Sequence, residues 1–234
     1  MGDRDLKGVR VMEITKNILT QNPCYKAGKT IKVKGLMLHS VGCPQPSAMA
    51  FIKSWNTSSA KVCVHGFIDG NTGDVYQTLP WEHRGWHCGG TANGTHIGIE
   101  MCEPDCIKYT SGAKFTCSDK AKATAIVERT YKSAVELFAK LCNEYGLNPL
   151  AEGVILAHNE GYARGLASNH ADPEHLWKGL NLPYTMDDFR QEVKSAMNPT
   201  IYRVQVGAFH DEQNAKNLLA KLKKAGFEGF ITHN

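Results

Sequence analysis

Apolar positions along this chain fall into two rhythms. Residues 33–38 and 154–157 carry short apolar runs (Leu36-Met37-Leu38 and Val154-Ile155-Leu156-Ala157), each of strand length and each ending at a histidine, His39 and His158. Residues 61–68 and 74–79 alternate on either side of Asp69-Gly70-Asn71-Thr72-Gly73. Glycine there supplies the positive φ of a tight turn, so the pair predicts a hairpin. Residues 97–101, Ile97-Gly98-Ile99-Glu100-Met101, predict a further short strand with one acid in it. Helical spacing takes over elsewhere. Residues 47–55 predict a helix with Met49, Phe51 and Ile52 inward. In 118–145, Val127, Tyr131, Ala134, Phe138, Leu141 and Tyr145 recur at intervals of four and three. Ser118 is the expected N-cap and Gly146 the expected left-handed stop. Thr185 and Asp188 read as a capping box opening a helix through Phe189, Val193 and Met197.

The texture changes after Met197-Asn198-Pro199-Thr200, which predicts a linker. Residues 201–206 predict a strand, and Ala215, Leu218, Leu219 and Leu222 predict a helix ended by Gly226. Residues 227–232 predict another strand. This small β-α-β unit buries too little to fold well alone. The expected division is therefore a large domain over 1–197 and a small unit over 198–234.

Composition narrows the partners. The chain has 234 residues, 42% hydrophobic and 21% charged, with net charge +4. That mild positive charge suits an anionic polymer such as cell wall. No arginine-rich stripe or nucleic-acid motif is present, so nucleic acid is not an expected partner. No apolar run approaches the ~18 residues of a membrane span. The opening Met1-Gly2-Asp3-Arg4-Asp5-Leu6-Lys7 lacks the apolar core of a secretory signal. Synthesis in the cytoplasm is expected, with release through a pore or by lysis. Without an export signal, the eight cysteines are expected to be reduced. Cys102, Cys106 and Cys117 lack the C-x2-C spacing of a zinc knuckle. Most of the thiols are expected to serve as small buried hydrophobes.

Candidate chemistry gathers at the strand ends. Two imidazoles, His39 and His158, with the carboxylate of Asp172 would leave tetrahedral zinc one open position, the arrangement of a catalytic rather than a structural site. Each histidine taken alone reads more readily as a satisfied core or loop residue. Glu100 either faces water or serves a site, because an ionised group on an apolar strand is costly without a partner. His170 lies two residues before Asp172, a spacing that puts extended side chains on one side. It could stabilise an oxyanion or replace Asp172 as the ligand. Trp86-His87-Cys88-Gly89-Gly90 reads as a loop able to hold a sugar or peptide. His65 joins Trp86 and His87 as a substrate-binding candidate.

Several segments then fall into a known order. Leu38-His39-Ser40, Val64-His65-Gly66-Phe67-Ile68-Asp69, Trp86-His87-Cys88-Gly89 and Asn93-Gly94-Thr95-His96-Ile97-Gly98-Ile99-Glu100 precede His158 and Asn169-His170-Ala171-Asp172-Pro173. Over roughly residues 30–197 the chain resembles the zinc-dependent N-acetylmuramoyl-L-alanine amidases of the type-2 family. That family includes phage endolysins, bacterial autolysins and peptidoglycan recognition proteins. The likeness is greatest to those of clostridia and other Firmicutes. The resemblance implies an α/β fold with a central mixed sheet flanked by helices. It also implies one zinc held by His39, His158 and Asp172, with Glu100 as catalytic acid–base. The bond implied is the amide between N-acetylmuramic acid and L-alanine of peptidoglycan, cut by zinc-activated water. His170 stands where many members carry lysine, and 102–117 reads as an insertion without an assigned role. The tail resembles the opening of a SPOR domain but spans about half of one, which suggests a homodimer formed through it. A non-catalytic peptidoglycan-binding module and a cysteine peptidase are the competing expectations.

Overall fold

The computed structural model describes residues 12–198, 204–227 and 229–232. Contacts group Met12–Pro199 into one compact unit and assign residues 200–234 to another. The first unit is built from β1 (Ile14–Lys16), α1 (Pro23–Lys26), β2 (Gly35–Ser40), α2 (Ala48–Trp55), β3 (Gly66–Ile68) and β4 (Val75–Gln77). It continues through β5 (His96–Met101), the hairpin β6 (Ile107–Ser111) and β7 (Lys114–Cys117), and α3 (Lys120–Tyr145). It closes with β8 (Ile155–Ala157), α4 (His158–Ala163), α5 (Glu174–Gly179) and α6 (Met186–Met197).

Six strands form one mixed sheet in the order β1-β4-β3-β5-β2-β8, with β3 and β4 antiparallel and the other neighbours parallel. β2 and β5 are buried at every position, as expected of central strands covered on both faces. Leu36, Leu38, Ile97, Ile99 and Ile155 pack with Val127, Tyr131, Phe138 and Phe189 in the main core. On the opposite face Phe67 packs with Phe51 and Ile52, while Met37 and Leu156 pack with Cys88 and Ala92. Side chains alternate along a strand. His39 therefore shares the second face with Met37, and Glu100 shares it with Gly98. The register pairs His39 with Glu100 directly. Three parallel strands, β5, β2 and β8, thus bring Glu100, His39 and His158 to one end of the sheet. Their carboxyl ends are where open α/β sheets bind ligands.

Several expected elements shift for identifiable reasons. α3 starts from Asp119, whose side chain accepts from Lys122 N, because the Ser118 hydroxyl donates to the Cys106 carbonyl. Gly146 ends the helix at φ +63°, as its position suggested. The strand expected over 61–68 joins the sheet only at Gly66–Ile68. Upstream, Cys63 pairs with Trp86 instead. Asp69 closes the turn that follows by accepting from Asn71 N and Thr72 N. Thr185 caps α6 by accepting from Asp188 N. The segment 102–117 forms β6 and β7, an antiparallel hairpin apart from the main sheet.

The second unit contains α7 (Glu212–Lys224), capped by Asp211. The strand expected at 201–206 lies partly outside the described residues, and 204–206 form no strand. Neither do the described residues of 227–232. Val204, Phe227 and Phe230 stand exposed, while Ala215, Leu218, Leu219 and Leu222 of α7 are half-buried.

Candidate metal centre and cleft

His39 is the fifth residue of β2, His158 opens α4 directly after β8, and Asp172 sits before α5. α4 needs no conventional cap, because the Glu160 carboxylate folds back to accept from Ala157 N at 2.9 Å. That carboxylate also receives Arg190, which in turn donates to the Ile155 carbonyl. The strand-to-helix junction carrying His158 is thereby fixed from behind. His39 Nδ1 lies 3.0 Å from His158 Nδ1 and 3.2 Å from Asp172 Oδ2, and His158 Nδ1 lies 3.5 Å from Asp172 Oδ1. All three side chains are buried, and their ligand atoms lie within 4.8 Å of one another. Burial alone would raise the Asp172 carboxyl. The imidazoles of His158 and His39 beside it outweigh that effect and hold the group well below the usual carboxylate range.

Glu100 is 9% exposed, and its Oε2 has no hydrogen-bond partner. Burial, with Asp172 and Glu103 nearby, pushes its carboxyl well above the ordinary value. A buried acid with an unused oxygen beside three convergent donors fits a site that receives a cation and a water. Glu100, His158, His170, Asp172, Trp55, Trp86 and Tyr109 are among the residues lining an open cleft of about 610 Å³.

Comparison with known families decides the lineage. Residues 29–175 match the family described as N-acetylmuramoyl-L-alanine amidase. The chain belongs to that amidase family. Residues 198–234 match the SPOR domain. A curated relative, the N-acetylmuramoyl-L-alanine amidase CwlH of Bacillus subtilis, is 27% identical over 178 residues, covering 71% of this chain. The chain in turn spans 65% of that relative's length. Among solved structures, the Staphylococcus aureus hydrolase AmiA, determined with its ligand, superposes at TM-score 0.60 and 18% identity, covering 81% of this chain and 85% of that one. The PlyG catalytic domain superposes at TM-score 0.56 and 18% identity, covering 82% of this chain and all of that one. Both show the same fold.

Within this amidase fold the remaining candidates separate. His170 is exposed, with its ring 4.4 Å from that of His158 and its Nδ1 3.7 Å from Asp172 Oδ1. The convergent set contains Asp172 and not His170. Trp86 lines the cleft. His65, expected to bind substrate, lies inside the protein. It is fully buried, its Nδ1 accepts from Gly98 N, and its Nε2 reaches the His83 carbonyl. His87 borders the cleft, but both of its nitrogens are engaged by protein: Nδ1 lies 2.9 Å from His39 Nε2 and Nε2 lies 3.2 Å from the His96 carbonyl. A substrate would have to break one of these contacts. The imidazoles look alike in sequence. Only the surroundings of their second nitrogens separate them.

The hairpin β6–β7 supplies groups that the sequence left without a role. The Tyr109 hydroxyl donates to Glu103 Oε2 at 2.7 Å and lies 2.6 Å from His175 Nε2. Glu103 is fully buried, and burial raises its carboxyl to about 7 against hydrogen bonds from Tyr109 and Gly42 N. The position of Glu103, three residues beyond Glu100, was the one available sequence signal. The eight cysteines are free, and five are buried. Burial raises the thiols of Cys43, Cys88 and Cys142, which disfavours the thiolate a cysteine peptidase needs, whereas a hydrogen bond from Cys63 lowers the thiol of Cys24, which is itself buried.

Proposed function

We propose that this chain is a zinc-dependent N-acetylmuramoyl-L-alanine amidase. It would cut the amide between the lactyl group of N-acetylmuramic acid and the first L-alanine of the stem peptide. The observation that carries the reading is the convergence of His39, His158 and Asp172 beside the partnerless Glu100 oxygen at the cleft. The donor set suits zinc, which accepts imidazole nitrogen and carboxylate oxygen and keeps a catalytic position open when it has three protein ligands. Bound there, zinc would supply a Lewis acid that polarises the scissile carbonyl and acidifies a water.

The chain's own residues supply the rest. Glu100 takes a proton from the attacking water on its carboxylate and delivers it to the departing alanine nitrogen. Its raised proton affinity suits an acid that must both accept and give near neutral pH. His170, exposed beside His158, donates an N–H to the carbonyl oxygen as negative charge develops. Trp86 offers a flat apolar face to a sugar or peptide in the cleft. The purified protein should contain about one zinc per chain, and 1,10-phenanthroline should abolish wall hydrolysis. Fully active enzyme without zinc would end the metal reading.

The SPOR-matching segment is proposed to add affinity for peptidoglycan. Its exposed Val204, Phe227 and Phe230 would be covered by the same segment of a second copy, which makes a dimer through residues 198–234 the expected state. Light scattering at tens of micromolar should report a dimer that becomes monomeric when those residues are deleted. A monomeric full-length chain would defeat the dimer. No helix among the described residues is long and apolar enough to cross a membrane. Action on the wall is therefore proposed to follow release, as for an endolysin or autolysin.

A further inference from the structure

His87 contacts one imidazole of the group, and Cys88 reaches the other through Ser168. His87 Nε2 faces the His96 carbonyl at 3.2 Å. A carbonyl only accepts, so His87 carries a proton on Nε2, and the neutral ring presents a lone pair at Nδ1. His39 Nε2, 2.9 Å from that lone pair, must then donate. The Nδ1 of His39 is left bare toward Asp172 and His158.

A second path reaches His158 from the adjoining residue. The Ser168 hydroxyl donates to the Cys88 carbonyl at 3.1 Å. With its one hydrogen used, that oxygen accepts from His158 Nε2 at 3.3 Å. The Nδ1 of His158 is bare as well. The two Nδ1 atoms then face each other at 3.0 Å with no hydrogen between them, an arrangement that a cation would relieve.

The loop is held in place for this task. Asn93 Oδ1 accepts from His87 N at 2.8 Å and from Cys88 N at 3.1 Å. The His87 ring packs close to two glycines. A Cβ on Gly98 would come within 2.5 Å of it, and one on Gly85 within 2.7 Å. Larger residues at either position would displace the ring from His39.

We propose that residues 86–90, with Ser168, select the metal-binding tautomer of both imidazole ligands. His87 and Ser168 are the positioning residues. The purpose of this arrangement rests on the zinc reading, whereas the tautomers themselves can be measured without metal. Two-bond proton–nitrogen NMR spectra of the metal-free protein at pH 8, where unperturbed imidazoles are neutral, identify the protonated nitrogen of each ring. Both His39 and His158 should carry the proton on Nε2. In His87→Leu, His39 should gain an Nδ1–H population, and zinc affinity in a chelator competition should fall by about 10–100-fold. His87→Asn, whose side-chain oxygen can accept in place of Nδ1, should recover most of that loss. Ser168→Ala should weaken zinc similarly, while Ser168→Thr should not. An Nδ1–H proton on either ring of the wild-type protein would overturn the inference. So would unchanged zinc affinity in both His87→Leu and Ser168→Ala. Wild-type protein with both Nε2–H tautomers but no zinc affinity would support the relay and overturn the metal reading instead.

Discussion

Glu100→Gln should lower turnover on cell wall by about 10²-fold or more while leaving zinc content unchanged, the size of a typical general-base loss. The side chain keeps its shape, so packing on β5 is undisturbed. Glu100 stands outside the convergent His39, His158 and Asp172 set, so the substitution removes no ligand. What disappears is an oxygen that can take a proton and return it. Glu100 Oε2 is buried and has no protein partner, so the structure assigns it no role in holding the fold together. Near-normal turnover in Glu100→Gln would remove this residue from the chemistry.

Asp172→Ala should weaken zinc by more than about 100-fold, beyond the 10–100-fold typical of losing an outer-shell partner. Activity should fall with the metal. Two imidazoles alone give zinc one ligand fewer than a catalytic site normally has. His170→Ala should separate the two members of the pair, retaining zinc and losing rate. Its Nδ1 lies 3.7 Å from Asp172 Oδ1, and its side chain is largely in solvent. Metal analysis of the two variants decides the assignment. If His170→Ala loses zinc and Asp172→Ala keeps it, the ligand is the other member of the pair.

Much of this site can be read from sequence because its geometry is local. An apolar run that stops at a histidine marks a strand end, and both His39 and His158 sit at such ends. Glu100 declared itself as the acid on a buried strand. The roles of His65 and His87 are not local. His65 is satisfied by Gly98 and His83, and His87 is engaged by His39 and His96, contacts that exist only after the sheet has assembled. The helix opening at His158 carries no conventional N-cap residue, because its cap comes from Glu160, reaching back from inside the helix. The hairpin 107–117 carries alternation too weak to stand out, yet it brings Tyr109 to the cleft. In the tail, alternation at 201–206 and 227–232 suggested strands. The described residues of those segments form no strand, and periodicity alone cannot supply a pairing partner.

The bond that is cut tests the central claim most directly. Purified peptidoglycan digested with the full chain should release stem peptides with a new free amino group on L-alanine. The glycan strands should retain intact lactyl groups and gain no new reducing ends. Mass spectrometry of the products distinguishes these outcomes. Products that carry new reducing sugar ends, or peptides split between amino acids with the muramic acid–alanine amide intact, would contradict the account.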